Sequence, residues 1–278
     1  MKYEQLKMML DLDKNNLVVQ SNLMIYGCYD FSALEQKIIL ILISTIKKND
    51  TELKALEFQV KDLANILGVS PELLYRDLPK LCKNIMEKII EIKQANGSWI
   101  MFNLISYAEY KKKEGRIILD LNDKAKPFLL FLQEYFTTFK LGDALELSSK
   151  YAIRLYQLTK GCLNIGKLSY TVEDFRKTLK IDKKKTYDNF GKITEKIINP
   201  AIAEINEKSN LYVTYETKRI GRKIGLINFI IKEKSVTNKK VKTKLKRSEI
   251  NPKSFNNFEP RRYDYNSLEK KLLGWDND

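Results

Sequence analysis

The feature that most constrains the fold is an internal repeat. The segment EFQVKDLANILGV (57–69) aligns without a gap with SYTVEDFRKTLKI (169–181), at a constant offset of 112 residues, and the register continues into the following segment. The matched pairs include Phe58 with Tyr170, Val60 with Val172, Asp62 with Asp174, Leu67 with Leu179, Tyr75 with Tyr187, Lys80 with Lys192 and Ile85 with Ile197. Because this period is far above the roughly 20–50 residues of solenoid repeats, we interpret the chain as two copies of one domain.

Each copy shows the same order of predicted elements. A first helix is predicted over 31–48 and over 148–161, with Ser32 and Ser148 as N-caps and Glu35 completing a capping box. A short strand, an amphipathic helix, a tight turn, a long helix and a β-hairpin follow. This is the order of a winged helix-turn-helix domain, in which one helix enters the DNA major groove and the hairpin, or wing, lies on the backbone.

Glycine and proline positions refine the prediction. Asn96 and Gly97 predict a hairpin turn in the first copy, and Gly221 lies at the hairpin tip of the second. Pro79 and Pro200 are expected to start or kink a turn rather than to sit in straight helix. The expected fold class is α+β: two tandem winged helix-turn-helix domains related by internal duplication, followed by a basic, disordered C-terminal tail.

Composition sets the expected domain boundaries. We predict an N-terminal extension (1–14), a first winged-helix domain (15–135), a linker (136–147), a second winged-helix domain (148–233) and a basic tail (234–278). The stretch NDKAKPFLLFLQEYF (122–136) is predicted to be helical and apolar enough to pack. The tail is basic and Asn-rich with few aliphatic residues, so it is expected to be disordered in isolation.

The stretch GCLNIGKLSY (161–170) matches part of a phosphate-binding loop, but its context argues against one. Gly161, Gly166 and Lys167 fit the motif G-x-x-x-x-G-K-[ST], which must leave a strand and open a helix. Here a predicted helix ends near Gly161, and Lys167 leads into a predicted strand. The position of the magnesium-binding hydroxyl is Leu168. We therefore interpret Gly161 as a helix C-cap and Gly166 as a turn.

The charge balance indicates a polyanionic partner. A net charge of +15 favours nucleic acid first and an anionic membrane surface second. The longest apolar run, 38–43, is far shorter than the roughly 20 residues of a membrane-spanning helix. The N-terminal residues do not form a signal peptide. We expect a cytoplasmic protein with no membrane partner and no small-molecule substrate.

Residue usage argues against catalysis. The chain contains no histidine, which removes imidazole acid–base chemistry, His-ligated metals and the His-metal site of rolling-circle nicking enzymes. The cysteines Cys28, Cys82 and Cys162 form no C-x-x-C pair. The carboxylates of Asp120 and Asp123 have no obvious third acidic partner for a two-metal nuclease. We expect no enzyme activity, no cofactor and no metal.

The segment IDKKKTYDNFGKITEK (181–196) carries the main binding hypothesis. Lysines neutralise phosphates, and Thr and Asn are small enough to reach base edges. The candidate DNA-binding residues here are Lys183, Lys184, Lys185, Thr186, Tyr187, Asn189 and Lys192. Thr186, Tyr187 and Asn189 are expected in the first turn of the long helix. The match of Tyr187 with Tyr75 also fits a shared core position, and the lysine run alone also fits a solvated turn.

The two wings and the first copy supply further cationic candidates. The second wing tip carries Lys218, Arg219, Arg222 and Lys223. The first wing tip carries Lys111, Lys112, Lys113 and Arg116. Both suit backbone or minor-groove contacts, although loop solubility also explains them. In the first copy Arg76 and Lys80 lie among Glu72 and Asp77, which favours phosphate positioning or a dimer contact over base reading.

Taken in order, these segments resemble the initiator Rep proteins of iteron-containing plasmids. The resemblance covers roughly 15–233. It is carried by NLVVQSNLM (16–24), LEQKIILILIS (34–44), FQVKDLANILGVS (58–70), SSKYAIRLYQL (148–158), the F-x-x-I…INPAIAEIN pattern (190–206) and GRKIGLINFII (221–231). This chain departs from that family in its lysine-rich, acid-containing recognition segments.

The resemblance implies sequence-specific binding to direct repeats in double-stranded DNA at a replication origin. It implies that the second domain reads bases, while the first adds contacts or pairs subunits in a dimer that represses its own promoter. It also implies opening of AT-rich DNA, recruitment of the host replication initiator and helicase, and plasmid copy control. A winged-helix transcription regulator with no replication role is the alternative.

Overall fold

The computed structural model describes residues 8–9, 12–94 and 96–234. The predicted tail beyond Lys234 and most of the predicted N-terminal extension lie outside the described residues. The strands are β1 (Met8–Met9), β2 (Leu17–Ser21), β3 (Leu56–Gln59), β4 (Ile89–Lys93), β5 (Trp99–Asn103), β6 (Ile105–Lys111), β7 (Arg116–Leu121), β8 (Phe136–Lys140), β9 (Lys167–Thr171), β10 (Leu211–Ile220) and β11 (Lys223–Glu233). The α-helices are α1 (Asn22–Tyr26), α2 (Ala33–Ser44), α3 (Val60–Leu67), α4 (Pro71–Glu87), α5 (Lys126–Leu129), α6 (Leu141–Leu145), α7 (Lys150–Gly161), α8 (Val172–Thr178), α9 (Phe190–Ile193) and α10 (Asn199–Lys208).

The first copy folds as the predicted winged helix-turn-helix. The capping box at α2 is confirmed: the Ser32 Oγ accepts from the Glu35 N–H at 3.3 Å, and the Ser32 N–H donates to the Glu35 carboxylate at 2.7 Å. Strand β3 runs directly into α3, and Gly68 caps the end of α3 in the left-handed conformation (φ 68°). Helix α4 follows the turn, and β6 and β7 form the wing.

The second copy repeats this order. Strand β9 passes into α8 at Val172, 112 residues after β3 passes into α3 at Val60. The N-cap of α7 is Ser149, not the predicted Ser148, because the Glu204 carboxylate accepts from both the N–H and the hydroxyl of Ser148. The Ser149 Oγ then accepts from the Tyr151 N–H at 3.3 Å.

Four small sheets organise the described residues. A four-stranded sheet has the order β1-β3-β7-β6, and a three-stranded sheet has the order β10-β11-β9. Strands β4 and β5 form the hairpin predicted from Asn96 and Gly97, and the Ser98 N–H donates to the Asn96 side chain. In the second copy Phe175 of α8 packs against Phe229 of β11, and both rings are fully buried with centroids 5.7 Å apart.

The segment between the copies is folded. Residues 136–147, the predicted linker, contain β8 and α6, and β8 pairs with β2 near the start of the described chain. The long helix predicted over 122–136 was wrong, since only a 3-10 turn (Asp123–Ala125) and the short α5 form there. Phe131 and Tyr135 adopt positive φ angles of 55° and 53°, which a helix cannot continue through.

The prediction for Pro79 was wrong as well. Pro79 lies inside the continuous α4 on its exposed side, where solvent can replace the helical hydrogen bond that proline cannot make. Pro200 lies in the first turn of α10, directly after a π-helical segment (Thr194–Ile198). Helical backbone is continuous from α9 through this π-helical segment into α10, so Pro200 starts no turn.

The glycine-rich stretch is not arranged as a phosphate-binding loop. Gly161 is the last residue of α7, with Cys162 rather than Gly161 at the C-cap, and Lys167 begins β9. Gly166 forms the predicted turn with φ 72°. Among the described residues, no helix is long and apolar enough to cross a membrane.

Candidate nucleic-acid interface

The second helix-turn-helix begins with a tightly capped helix. At the start of α8 the Thr171 hydroxyl accepts from the Asp174 N–H at 3.0 Å and donates to the Asp174 carboxylate at 2.7 Å. The helix ends at Thr178 with Leu179 as its C-cap, and Lys180 then turns the chain with a positive φ of 52°. A lysine in this conformation is uncommon and needs support from its surroundings. Two backbone hydrogen bonds supply it: the Ile181 N–H donates to the Arg176 carbonyl at 2.9 Å, and the Lys180 N–H donates to the Lys177 carbonyl at 3.0 Å. The Lys180 Nζ also lies 2.7 Å from the Glu91 carboxylate.

Arg176 of α8 holds the following turn in place. Its guanidinium donates to the Asp182 carbonyl at 3.0 Å and forms an ion pair with the Asp188 carboxylate. These contacts tie both ends of the lysine-rich segment to α8, so that the lysines between them face solvent. The sequence analysis missed Arg176. The only sequence signal for this role is that Arg176 precedes a lysine run that has one aspartate on each side, Asp182 and Asp188.

We define the recognition turn as residues 182–189. Its exposed side chains include Lys183, Lys185 and Thr186, which form no ion pair or hydrogen bond with any described residue. The Lys184 Nζ lies 4.0 Å from the Asp30 carboxylate. Asp30 also accepts from Lys150 at 2.5 Å, so its charge is shared between two lysines.

The start of the second long helix differs from the prediction. Residues 185–188 form a 3-10 turn, and α9 begins only at Phe190, so Thr186 and Tyr187 precede the first α-helical turn. Asn189 is the N-cap, and its side-chain oxygen accepts from the Gly191 N–H at 2.8 Å. That contact occupies the carboxamide oxygen and leaves its NH₂ group as the donor available to a base edge.

Tyr187 is half-buried, and its partner in the repeat, Tyr75, is half-buried too. Burial, together with the neighbouring Tyr187, raises the pKa of Tyr151. Lys192 is exposed and donates to the Glu195 carboxylate at 2.7 Å. This hydrogen bond lowers the pKa of Glu195.

The second wing presents four cations. Strands β10 and β11 form the hairpin, and its tip carries Lys218, Arg219, Arg222 and Lys223, all exposed. None of the four forms an ion pair with another residue in the described part of the chain. Together with Lys183 and Lys185 of the recognition turn, this tip gives the second copy six cations that pair with no carboxylate among the described residues.

In the first copy both candidate arginines are paired. Arg76 donates to the neighbouring Asp77 at 2.8 and 3.0 Å. Arg116 lies 3.4 Å from the buried Glu57 carboxylate and 3.5 Å from Glu114, which holds it against the base of the wing. The lysines Lys80, Lys111, Lys112 and Lys113 form no ion pair with any described residue.

Where the structure describes the chain, it contains no group of three or more histidine, cysteine, aspartate or glutamate residues that could hold a metal ion. What it does offer is two winged-helix domains, the second with a cationic turn and wing. That combination defines a DNA-binding protein of the twin winged-helix class.

Comparison with known proteins places the chain within this class. Two family models match it: "Initiator Replication protein, WH1" over residues 17–160 and "Initiator Rep protein, WH2" over residues 171–231. The chain belongs to this family of initiator replication proteins, as the sequence resemblance predicted.

Individual relatives agree with this assignment. A "PI protein" of Escherichia coli is 25% identical over 260 residues, which cover 81% of this chain and 85% of the relative. A "Replication initiation protein" of Escherichia coli is 20% identical over 212 residues, which cover 73% of this chain and 66% of the relative. A crystal structure of the Pi initiator protein in complex with iteron DNA matches the fold with a TM-score of 0.62. That match has 22% sequence identity and covers 79% of this chain and 98% of the other.

Proposed function

We propose that this chain initiates plasmid replication by binding direct repeats, or iterons, in double-stranded DNA at the origin. The observation that carries the proposal is a set of cations in the recognition turn (Lys183 and Lys185) and the second wing that pair with no carboxylate among the described residues, in a chain that belongs to an initiator family. The related Pi protein is described in complex with iteron DNA, which supports the choice of target.

We propose that the two copies have different roles in DNA binding. The second domain reads bases through the recognition turn and the start of α9, with Asn189 and Thr186 as the groups that reach base edges. The first domain, whose arginines are paired with carboxylates, adds phosphate contacts in the monomer or pairs subunits in an autorepressing dimer.

Bound initiator would then help to open adjacent AT-rich DNA and to recruit the host replication initiator and helicase in the cytoplasm. In this proposal the chain acts by binding alone and breaks no covalent bond. Incubation with supercoiled origin DNA and Mg²⁺ or Mn²⁺ tests that statement. A tyrosyl–DNA adduct would refute it.

The direct test of the proposed function is a footprint on the DNA that flanks the gene. We expect protection of tandem repeats, with an affinity that falls steeply as salt rises. A second arm asks whether a plasmid that carries this flanking DNA replicates only when the protein is supplied in trans. Protection of no repeated element, or replication without the protein, would overturn the proposal.

A further inference from the structure

The tip of the second wing holds one apolar side chain among cations. Residues 218–223 read KRIGRK, so every residue there except Ile220 is a lysine, an arginine or glycine. Ile220 ends β10 and is 61% exposed. Leaving an apolar surface of this size in water is unfavourable, and here it stands at the most cationic point of the hairpin.

The hairpin gives Ile220 a defined place. Ile220 pairs with Lys223 across the Gly221 turn, and the register shifts between Lys218 and Arg219, so that Gly225 is left as a bulged residue. A Cβ atom added to Gly225 would lie only 2.5 Å from the Cδ1 and Cγ1 atoms of Ile220. The isoleucine therefore packs on the backbone of Gly225, the bulged residue in the opposite strand of its own hairpin.

We propose that Ile220 is an apolar wedge that the wing inserts into the minor groove of the target DNA. Arg219 and Arg222 flank it and contact the groove walls. The proposal rests on the proposed function and adds the groove, the residue and the mode of contact. Apolar side chains that enter the minor groove partly unstack a base step and kink the duplex, and arginines favour the narrow minor groove of A·T-rich DNA.

The charge pattern selects this occupant over others. An apolar protein partner would meet a patch of one residue surrounded by four unpaired cations, each of which would lose water on docking. A duplex offers phosphates for the cations and, at an unstacked step, the apolar faces of the bases for the isoleucine in the same contact. The wing would thus add local unstacking to its backbone contacts.

The experiment compares Ile220→Ser with Ile165→Ser on DNA fragments that carry the repeats. Ile165 is a matched control, since it is 76% exposed in the turn after α7 and its neighbours Asn164 and Gly166 are uncharged. Affinity is measured by fluorescence anisotropy, and unstacked thymines are detected by permanganate oxidation. Neither change removes a buried side chain, so both variants should unfold at the temperature of the unsubstituted chain.

We expect the unsubstituted chain and Ile165→Ser to produce the same permanganate-reactive thymines within the footprint. Ile220→Ser should lose that reactivity and bind about 10-fold more weakly. Ile220→Leu should keep both the thymine reactivity and the affinity of the unsubstituted chain. If Ile220→Ser protects the repeats with unchanged affinity and unchanged thymine reactivity, the wedge is refuted and the proposed function stands. If the unsubstituted chain protects no repeat, the proposed function fails and the wedge fails with it.

Discussion

The sharpest test of the interface is the salt dependence of DNA binding after Lys183 and Lys185 are both changed to alanine. Both side chains are exposed in the recognition turn and form no ion pair with any described residue, so each is available to a phosphate. Lys184 is left in place because Asp30, 4.0 Å from its Nζ, already competes for its charge.

The expected magnitude follows from counterion release. Each phosphate contact contributes about 0.9 to the slope of log K against log salt, so loss of two contacts should make the slope shallower by about 1.8. Raising the salt from about 50 to about 200 mM weakens DNA binding by some factor. For the double variant that factor should be about 12 times smaller than for the unsubstituted chain. At low salt the double variant should bind more weakly.

Fluorescence anisotropy on a labelled repeat, repeated across that salt range, measures the slope. Lys47→Ala with Lys48→Ala is the matched control, because it removes the same charge from exposed positions in the turn after α2. The control should keep the slope of the unsubstituted chain. The reasoning is refuted if the control and the recognition-turn variant change the slope equally, or if neither changes it.

Three further predictions concern the scaffold beneath the interface. Phe175→Ala should lower the free energy of unfolding by about 3–5 kcal/mol, because it empties a fully buried site against Phe229. Urea denaturation measures this loss, and a loss below about 1 kcal/mol would contradict the prediction. Gly68→Ala should cost about 1 kcal/mol in the same assay through its positive φ alone, since nothing lies within 4 Å of an added Cβ. The hydrogen bond from Lys180 lowers the pKa of Glu91, so this pair stabilises the fold above the ordinary carboxyl pKa and loses that contribution as pH falls through the lowered value. Glu91→Gln should therefore destabilise the chain at about pH 7 and have little effect at about pH 2; equal destabilisation at both would exclude this origin.

Local signals and the repeat predicted much of the fold. The Ser32–Glu35 capping box, the Asn96–Gly97 hairpin and the order of strand then amphipathic helix in each copy depend on neighbouring residues, and the structure has all three. Pairings between distant segments were not predictable in this way. Strand β8 was expected within a linker because its partner, β2, lies more than 100 residues earlier.

The candidate site, too, was predictable only where it depends on neighbouring residues in the sequence. The lysine run of the recognition turn is plain in the sequence, but its conformation depends on Arg176 and on Asp30, neither of which stands in that run. The 3-10 turn over 185–188 replaced the expected helix start because Asn189, not an earlier residue, caps α9. Side chains that act from a neighbouring element leave no periodic signal at the position they support.

The two copies share a fold and differ in what their arginines contact. Arg76 and Arg116 in the first copy lie beside carboxylates, so a DNA phosphate must displace Asp77 or Glu57 before it gains either charge. Arg219 and Arg222 in the second wing have no such partner among the described residues. A paired cation releases fewer counterions when it meets DNA than a free one does. The two copies therefore offer DNA different sets of cations. Among the described residues the first copy has unpaired lysines, Lys80, Lys111, Lys112 and Lys113, beside two paired arginines, whereas the second wing has unpaired arginines as well.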